Sequence, residues 1–240
     1  MKDRIAFVTG AGGGIGREIA ISLAKQKVNI VLFGGKDAEK LQSTAEMVKS
    51  FGVKTWVYPG DLTDDKVLND NFQKAISQVG KIDILINNAG RAYNKPFEST
   101  ETEVFDKIMA LNARVPFLLI KHCLPYLKKS DRASIINVAS IVAHNGYPFQ
   151  CAYTASKHAL LGLTKSLANE VYNQGIRVHA VSPGGVYTDM IKVARPDLDV
   201  EDMIKPQEIA DIIMFLLKNR GNAVIDEIIV HRVNKQPFLA

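Results

Sequence analysis

The sequence lacks the features of a secreted, membrane-spanning or metal-binding protein. It contains two cysteines, Cys123 and Cys151, which form neither a CxxC pair nor a zinc-ligand pattern. No apolar run approaches the roughly 18 residues of a membrane helix. Residues 1–4 (MKDR) lead directly into an apolar segment, without the long hydrophobic stretch and cleavage site of a signal peptide. These absences predict a cytoplasmic protein with two reduced thiols, no bound metal and no membrane contact.

Charge of one sign is also not concentrated anywhere in the chain. The 30 basic and 25 acidic residues give a net charge of +5, and no block of five like charges occurs. Nucleic acid is therefore not an expected partner. A mild positive field still favours small anionic ligands such as a dinucleotide.

Short apolar segments alternate with helical patterns along all 240 residues. Several of these segments are apolar at every position, which is typical of strands covered on both faces. The pattern predicts a doubly wound, mainly parallel α/β sheet of the Rossmann type, with residues 1–240 forming a single dinucleotide-binding and catalytic domain. Strands are expected at residues 5–8, 30–33, 55–58, 82–86, 134–138, 176–181 and 224–230.

Helices are expected between these strands, because apolar residues recur there at intervals of three and four. The longest pattern covers residues 101–128 and contains Pro116 and Pro125, which predict one or two bends. The segment 189–205, which would cover a substrate, is short and carries no recognisable binding motif. The other helices are expected near residue 15 onward and at 38–50, 64–79, 152–172 and 207–218.

Glycines dominate the first turn of the chain, where residues 9–16 read TGAGGGIG. Glycine lets the backbone turn sharply and approach a pyrophosphate without a Cβ in the way. The N–H groups and the dipole at the start of the following helix then stabilise negative charge. The spacing is TGxxxGxG rather than GxGxxG, and a simple tight turn is the alternative interpretation. Its position between the first strand and first helix favours the dinucleotide interpretation.

A serine, a tyrosine and a lysine form the second candidate group. Tyr153 and Lys157 are four residues apart and so share one face of the predicted helix. Ser140 follows the fifth strand, whose carboxyl end borders the ligand crevice of such a sheet. Reduction of a carbonyl needs a proton donor, and a tyrosine with an ordinary pKa near 10 needs a lowered pKa to work near neutral pH. A nearby lysine ammonium in a desolvated site lowers that pKa. A surface pair is the alternative for Tyr153 and Lys157 taken alone.

The chain resembles the short-chain dehydrogenase/reductase family over about residues 4–217. The resemblance rests on motifs that occur in the family's order and are highly specific when taken together. They are TGxxxGxG at residues 9–16, Asp61-Leu62, NNAG at residues 87–90, Asn112, Ser140, Tyr153-xxx-Lys157, and Pro183-Gly184 with Thr188.

The resemblance implies a role for each matching residue. Tyr153 would be the general acid and base, and Lys157 would lower its pKa and bind the nicotinamide ribose. Ser140 would orient the substrate oxygen. Asn112 would hold a water in a proton relay, although a helix-breaking polar residue is the alternative. Asp61 would bond the adenine amino group, although a turn residue is the alternative.

The remaining implied roles concern the cofactor. Asn88 would brace the sheet beside the adenosine ribose, and Val186 and Thr188 would hold the carboxamide. The other residues expected to bind cofactor are Thr9, Gly10, Gly14, Ile15, Gly16, Leu62, Gly90, Pro183 and Gly184.

The choice between NADP and NAD depends on the end of the second strand, where the sequence departs from the family. An acidic residue there would bond the ribose 2′-hydroxyl of NAD. This chain instead has Gly34, Gly35 and Lys36, and Gly13 leaves the glycine turn without a basic residue. The absence of an acid and the presence of Lys36 favour NADP. The alternative is NAD, with the backbone of the two glycines holding the ribose.

The C-terminus also departs from the family, whose members often end the last strand with Asp-Gly-Gly. Here the strand runs into residues 231–235, HRVNK. This puts the usual tetramer contact at that edge in doubt. A homodimer or homotetramer is still expected, because the helices at 101–128 and 152–172 carry more apolar surface than one sheet face covers.

Several functions fit these observations to different degrees. The favoured one is an NAD(P)-dependent oxidoreductase that interconverts a small-molecule alcohol and carbonyl. A 3-oxoacyl-carrier-protein reductase is a specific candidate, since the positive charge would help an acidic carrier to dock. A non-catalytic dinucleotide sensor has no need of the Ser140, Tyr153 and Lys157 set. An epimerase or dehydratase of nucleotide sugars would need a longer substrate domain.

Overall fold

The protein is a three-layer α/β/α structure, seen here in a computed structural model that describes residues 1–194 and 201–235. Within these residues the sheet has seven strands in the order β3-β2-β1-β4-β5-β6-β7, and all neighbouring pairs are parallel. This confirms the predicted doubly wound sheet. The strands are β1 (Ile5–Thr9), β2 (Asn29–Phe33), β3 (Thr55–Tyr58), β4 (Ile84–Asn87), β5 (Ser134–Val138), β6 (Arg177–Pro183) and β7 (Glu227–Val230).

Helices cover both faces of the sheet, and they are α1 (Gly14–Lys25), α2 (Ala38–Lys49), α3 (Asp65–Val79), α4 (Thr102–Met109), α5 (Val115–Leu127), α6 (Cys151–Val171), α7 (Asp189–Ala194) and α8 (Pro206–Lys218). One apolar core lies under α1, α2 and α8, and the other lies under α3, α5 and α6. Within residues 1–194 and 201–235, none of the helices combines the length and apolar character needed to cross a bilayer.

The strand order reverses next to β1, and this reversal positions the site. β1 pairs with β2 on one side and with β4 on the other. The connections after β1 and β4 therefore leave on opposite faces and open a crevice at the carboxyl ends of these strands. Burial explains why the strands are apolar at successive positions, since Ala6, Phe7 and Val8 of β1 are all fully buried.

The predicted helix over residues 101–128 is interrupted before its first proline. α4 ends at Met109, and a single π-helical turn, Ala110–Arg114, connects it to α5. Pro116 lies in the first turn of α5, where a missing N–H is tolerated, and α5 continues through Pro125. Because Pro116 has no N–H, it cannot donate to the main-chain oxygen of Asn112 four residues earlier.

The predicted seventh strand over residues 224–230 is wrong at its start, since β7 covers only Glu227–Val230. Arg177 donates hydrogen bonds to the main-chain oxygens of Asn219 at 3.4 Å and Ala223 at 3.5 Å. The segment before β7 is thus held by a guanidinium rather than by strand pairing. This contact is between residues more than 40 positions apart, so local sequence pattern does not reveal it.

Candidate active site

A cavity of about 870 Å³ lies where β1, β4, β5 and β6 end. It brings together most of the residues that the sequence predicts for the site. Those that line it are Gly10, Gly14, Ile15, Asn88, Gly90, Ser140, Tyr153, Lys157, Pro183, Gly184, Val186 and Thr188.

The glycine turn at one end of this cavity requires glycine at three positions. Gly10 and Gly14 have φ values of +65° and +51°, in the left-handed region. A Cβ on Gly16 would lie 2.3 Å from the main-chain oxygen of Gly10 and 2.5 Å from Nδ2 of Asn88. Among the described residues no side-chain hydrogen bond caps α1, whose N-cap residue is Gly13, and the first turn of a helix has N–H groups without a partner in the helix. Such a helix start favours an anion.

A threonine and an asparagine hold this turn against β4. Thr9 Oγ1 donates to the main-chain oxygen of Ile86 at 3.3 Å and accepts from the main-chain nitrogens of Asn88 and Ala89, each at 3.0 Å. Asn88 Nδ2 donates to the main-chain oxygens of Thr9 at 3.0 Å and Gly10 at 3.3 Å. Thr9 is buried and does not line the cavity. It therefore acts from behind the turn, by fixing the ends of β1 and β4 relative to each other.

The serine, tyrosine and lysine converge on the middle of the cavity. α6 presents Tyr153 and Lys157 one turn apart, and the lysine Nζ lies 5.8 Å from the centroid of the tyrosine ring. Lys157 is buried and its Nζ donates to the main-chain oxygen of Val138 at 2.8 Å. Ser140, just after β5, lies beside Tyr153, and its Oγ donates to the main-chain oxygen of Pro183 at 3.3 Å.

Burial governs the pKa values of both ionisable groups. Burial raises the pKa of Tyr153, and the neighbouring Ser140 hydroxyl opposes this only in part. Burial also lowers the pKa of Lys157 to about 8. The lowered tyrosine pKa expected from the sequence is therefore not found. The physical reason is that desolvation penalises the phenolate, while the lysine ammonium is hydrogen-bonded to Val138.

Asn112 lies behind the cavity wall rather than in it. Its Oδ1 accepts from the main-chain nitrogen of Arg91 at 2.8 Å, and its Nδ2 donates to the main-chain oxygen of Arg91 and to Ser156 Oγ, each at 2.9 Å. A Cβ on Gly90 would lie 3.3 Å from Oδ1 of Asn112 and 3.6 Å from Nζ of Lys157. The amide thus fixes the loop after β4 close to the lysine.

Three further residues predicted to bind the cofactor, Lys36, Asp61 and Leu62, lie outside the cavity lining. Lys36 Nζ is 3.6 Å from an Asp61 carboxylate oxygen, and the lysine side chain is 82% exposed. Asp61 accepts hydrogen bonds from the Thr63 hydroxyl and main-chain nitrogen, which hold its pKa below the ordinary value. Leu62 is buried in the apolar core. Lys36 and Asp61 are thus neighbours just after β2 and β3.

Lys40, in the first turn of α2, lines the cavity, and no sequence motif marks it. Its Cβ is 3.5 Å from the position that a Cβ on Gly12 would take. Its Nζ lies 3.8 Å from carboxylate oxygens of Asp37 and Asp189. The sequence does show a basic residue in the first helical turn after β2. That this residue borders the cavity follows only from the packing of α2 against the glycine turn.

Other lining residues are also missed by sequence reasoning. They come from the loop after β4, from the segment before α6 and from the C-terminal segment, none of which carries a motif. These residues are Arg91, Ala92, Asn94, Tyr147, Gln150, His231, Arg232, Asn234 and Lys235.

The segment 189–205, expected to cover the substrate, is described up to residue 194 and from residue 201. Residues 195–200 lie outside the described part, as do residues 236–240.

Comparisons with known proteins agree with this geometry. A family model described as short chain dehydrogenase matches residues 4–199. The chain is 34% identical to an uncharacterized oxidoreductase of Thermotoga maritima, over 89% of this chain and 90% of the relative. It is 30% identical to a 3-oxoacyl-[acyl-carrier-protein] reductase of Staphylococcus aureus, over 93% of this chain and 94% of the relative.

A solved structure has the same fold over nearly the full length. It is an alcohol dehydrogenase from the archaeon Thermococcus sibiricus complexed with 5-hydroxy-NADP, with a TM-score of 0.88 and 25% identity, covering 98% of this chain and 99% of that chain. The family match, the full-length relatives and the fold lead to one conclusion. The chain belongs to the short-chain dehydrogenase family and is an oxidoreductase of the dehydrogenase/reductase type that acts on CH–OH groups.

Proposed function

We propose that the protein uses a nicotinamide dinucleotide to interconvert an alcohol and a carbonyl at a site built from Ser140, Tyr153 and Lys157. The observation that carries this proposal is the convergence of the three side chains in the cavity that also holds the glycine turn. The proton donor Tyr153, the hydroxyl of Ser140 and the buried cation of Lys157 then border the same cavity. A non-catalytic sensor would have no need of this arrangement.

The residues present fit a dinucleotide. The left-handed glycines leave room for a pyrophosphate at the start of α1, and Gly14 lies so close to Thr188 that a Cβ would be 2.9 Å from its Cγ2. Pro183, Gly184, Val186 and Thr188 would line the nicotinamide end. A nicotinamide bound there would supply or accept the hydride. The T. sibiricus alcohol dehydrogenase, complexed with 5-hydroxy-NADP, supports this assignment.

Tyr153 would supply the proton and Ser140 would hold the substrate oxygen. Because burial raises the pKa of Tyr153, the phenol is protonated at neutral pH and ready to donate. A protonated donor suits reduction, in which the carbonyl carbon gains a hydride and the oxygen gains the tyrosine proton. Lys157, with a pKa of about 8, is then positioned to stabilise the phenolate left behind.

Asn112 would take part in returning a proton through its main-chain oxygen. Its side-chain amide is fully used by Arg91 and Ser156. The main-chain oxygen lacks the usual donor four residues on, because that residue is Pro116. A water held there would connect toward Lys157.

NADP is the proposed cofactor, with NAD as the alternative. No acidic side chain stands at the end of β2, where Gly34 and Gly35 occur. Lys36 and Lys40 both lie near this end of the site, and in the described part of the chain each pairs with partly or fully exposed carboxylates at 3.6–3.8 Å. Such pairs contribute little, so either lysine is available to a 2′-phosphate.

A 3-oxoacyl-carrier-protein reductase is the second candidate. The 30% identity to the S. aureus reductase favours it. This candidate function predicts that a 3-oxoacyl group attached to a carrier protein is reduced far faster than the corresponding free 3-oxo acid. Assembly into a dimer or tetramer and a cytoplasmic location remain predictions.

A substrate screen tests the proposed function. Purified protein is incubated with NADPH or NADH and a panel of ketones, aldehydes, oxo acids and acyl thioesters, and loss of absorbance of the reduced cofactor is followed. The reverse panel of alcohols is run with NADP and NAD. Turnover that disappears in the Tyr153→Phe variant supports the proposal. Cofactor binding without turnover of any compound would favour the sensor instead.

A further inference from the structure

The basic segment that follows β7 lines the cavity, and the proposed hydride transfer makes no use of it. Residues 231–235, called here the basic tail, read HRVNK. His231, Arg232, Asn234 and Lys235 all border the cavity. Because Ser140 and Tyr153 border the same cavity, a substrate held by them lies within reach of the tail.

Arg232 lies across two glycines that follow Pro183. A Cβ on Gly185 would be 3.4 Å from Cδ and 3.6 Å from Nε of Arg232, and a Cβ on Gly184 would be 3.8 Å from its main-chain nitrogen. The arginine side chain thus packs at van der Waals distance against the backbone of Gly185. Ser140 Oγ donates to the main-chain oxygen of Pro183, the residue just before these glycines, at 3.3 Å. Pro183 and Gly185 are two residues apart, which is at most about 7 Å along the chain. The backbone positions contacted by Ser140 and by Arg232 therefore lie close together.

The tail is held in place by groups other than the Arg232 side chain. Gly184 N donates to Val230 O at 2.8 Å, and Asn234 Nδ2 donates to Asp202 Oδ2 at 2.8 Å. Within the part of the chain that the structure describes, the Arg232 guanidinium makes no hydrogen bond or ion pair. It is partly buried, and a partly buried guanidinium without an acceptor favours an anionic ligand.

The cavity as a whole is cationic. Its only carboxylate among the described residues is Asp189, and this lies 3.8 Å from both Lys40 and Lys192. An anion at the Arg232 end therefore meets no unpaired negative charge from the described lining. The basic residues of the lining are Lys40, Arg91, Lys157, Arg232 and Lys235.

We propose that Arg232 binds an oxyanion of the substrate, so that the substrate is a short oxo acid or a phosphate ester of a small hydroxy-carbonyl compound. This inference rests on the proposed function, because it assumes that Ser140 and Tyr153 hold the reacting oxygen. The planar guanidinium matches both kinds of oxyanion through paired N–H donors. The cofactor pyrophosphate does not account for Arg232, since it belongs at the glycine turn and the start of α1.

Matched pairs of compounds test the inference. The acid 3-oxobutanoate is compared with its methyl ester, and hydroxyacetone phosphate with hydroxyacetone, by kcat/KM at saturating NADPH and NADH. We expect the anionic member of at least one pair to be favoured by about 10–150-fold, the range of a charge-assisted hydrogen bond. The pair that shows the larger ratio identifies carboxylate or phosphate as the natural group. Equal values within both pairs, or faster turnover of the neutral members, would overturn the inference.

Variants separate Arg232 from general charge effects. Arg232→Gln should bring the anionic-to-neutral ratio of kcat/KM close to one by lowering kcat/KM for the anionic member, while Arg232→Lys should keep part of the preference. Lys49→Gln, which removes one exposed charge at the end of α2, is the matched control and should change nothing. A fall for acid and ester alike in Arg232→Gln would mean a structural role and would contradict the proposal.

Binding measurements distinguish failure of this inference from failure of the proposed function. Butanoate and inorganic phosphate are titrated calorimetrically into the protein–NADPH complex, which requires no turnover. Binding that is lost in Arg232→Gln supports the oxyanion site even if no carbonyl is reduced. Unchanged oxyanion binding in that variant, or a weaker NADPH affinity measured by fluorescence, would assign Arg232 elsewhere and overturn the inference.

Discussion

The Nζ atom of Lys157 lies 5.8 Å from the centroid of the Tyr153 ring, and it donates its hydrogen bond not to that tyrosine but to the main-chain oxygen of Val138 at 2.8 Å. The lysine thus acts on the phenol as a nearby charge rather than as a direct partner. Its influence is greatest when a phenolate forms in this buried site. The pH dependence of the rates and single substitutions at Tyr153 and Lys157 therefore test how the pair transfers a proton.

Tyr153→Phe should abolish turnover and leave cofactor affinity nearly intact. The phenyl ring keeps the packing of α6 but cannot donate a proton, and loss of a general acid costs about 10²–10⁴-fold in rate. Steady-state rates and NADPH titration by fluorescence measure the two effects separately. A variant that keeps more than about a tenth of the rate would remove Tyr153 from this role.

Reduction should fall as pH rises through about 8, and oxidation should rise. Below pH 8 Lys157 carries its proton, and above its pKa of about 8 the charge that stabilises phenolate is lost. Reduction starts from the neutral phenol, which the raised pKa keeps as the major form near pH 8. Oxidation starts from the phenolate, whose fraction grows with pH. Initial rates of reduction and of oxidation, measured from mildly acidic to alkaline pH, test both trends.

Lys157→Met is the variant that tests this assignment. It should slow reduction, remove the fall near pH 8 and shift the oxidation optimum upward, because no lysine charge then titrates. It should also weaken cofactor binding if Lys157 contacts the ribose. A pH profile that keeps its shape while the rate drops would show that Lys157 does not tune the tyrosine.

Gly16→Ala should destabilise the fold and weaken dinucleotide binding. The new Cβ would lie 2.3 Å from the Gly10 main-chain oxygen, so the backbone of the turn has to move. Overpacking of this kind costs about 1–3 kcal/mol, or a few degrees in Tm for a chain of this size. Gly13→Ala is the matched control, because no atom lies within 4 Å of the position that its Cβ would take and its φ of −175° suits any residue. Equal melting temperatures for the two variants would contradict the steric argument.

The local parts of the site were predictable from the sequence, and the non-local parts were not. The glycine turn and the spacing of Tyr153 and Lys157 depend on chain-local geometry, and the structure brings both to one cavity. The prediction of a lowered pKa for Tyr153 was wrong, because desolvation depends on walls contributed by distant segments. Arg232 carries no sequence signal because it packs against Gly185, 47 positions earlier in the chain.

A second copy of the chain should cover the groove between α4, α5 and α6, as the expected oligomer requires. Phe117 in this groove is 49% exposed, beside Met109 and Leu163. Burial of such a side chain contributes about 1.5–3 kcal/mol. Light scattering at micromolar concentration should give a dimer or tetramer, and Phe117→Lys should lower the mass. A monomeric mass for the unaltered protein would contradict the prediction, and Tyr172→Lys, at an exposed position on the last turn after α6, is the control.

NADPH should bind more tightly than NADH, by about 10–150-fold, if a lysine at the end of β2 forms a charge-assisted bond with the 2′-phosphate. Lys36→Ala and Lys40→Ala, titrated with both reduced cofactors by fluorescence, show which lysine is responsible, since only the responsible one should flatten the ratio. Gly35→Asp should invert the preference by repelling the phosphate and accepting from a 2′-hydroxyl, because its Cβ meets no atom within 4 Å. Gly34→Asp is a poorer test, because its Cβ would lie 2.9 Å from both methyls of the buried Leu41 and the variant should lose stability. Tighter NADH binding by the unaltered protein would make this an NAD enzyme, with the backbone at Gly34 and Gly35 holding the ribose.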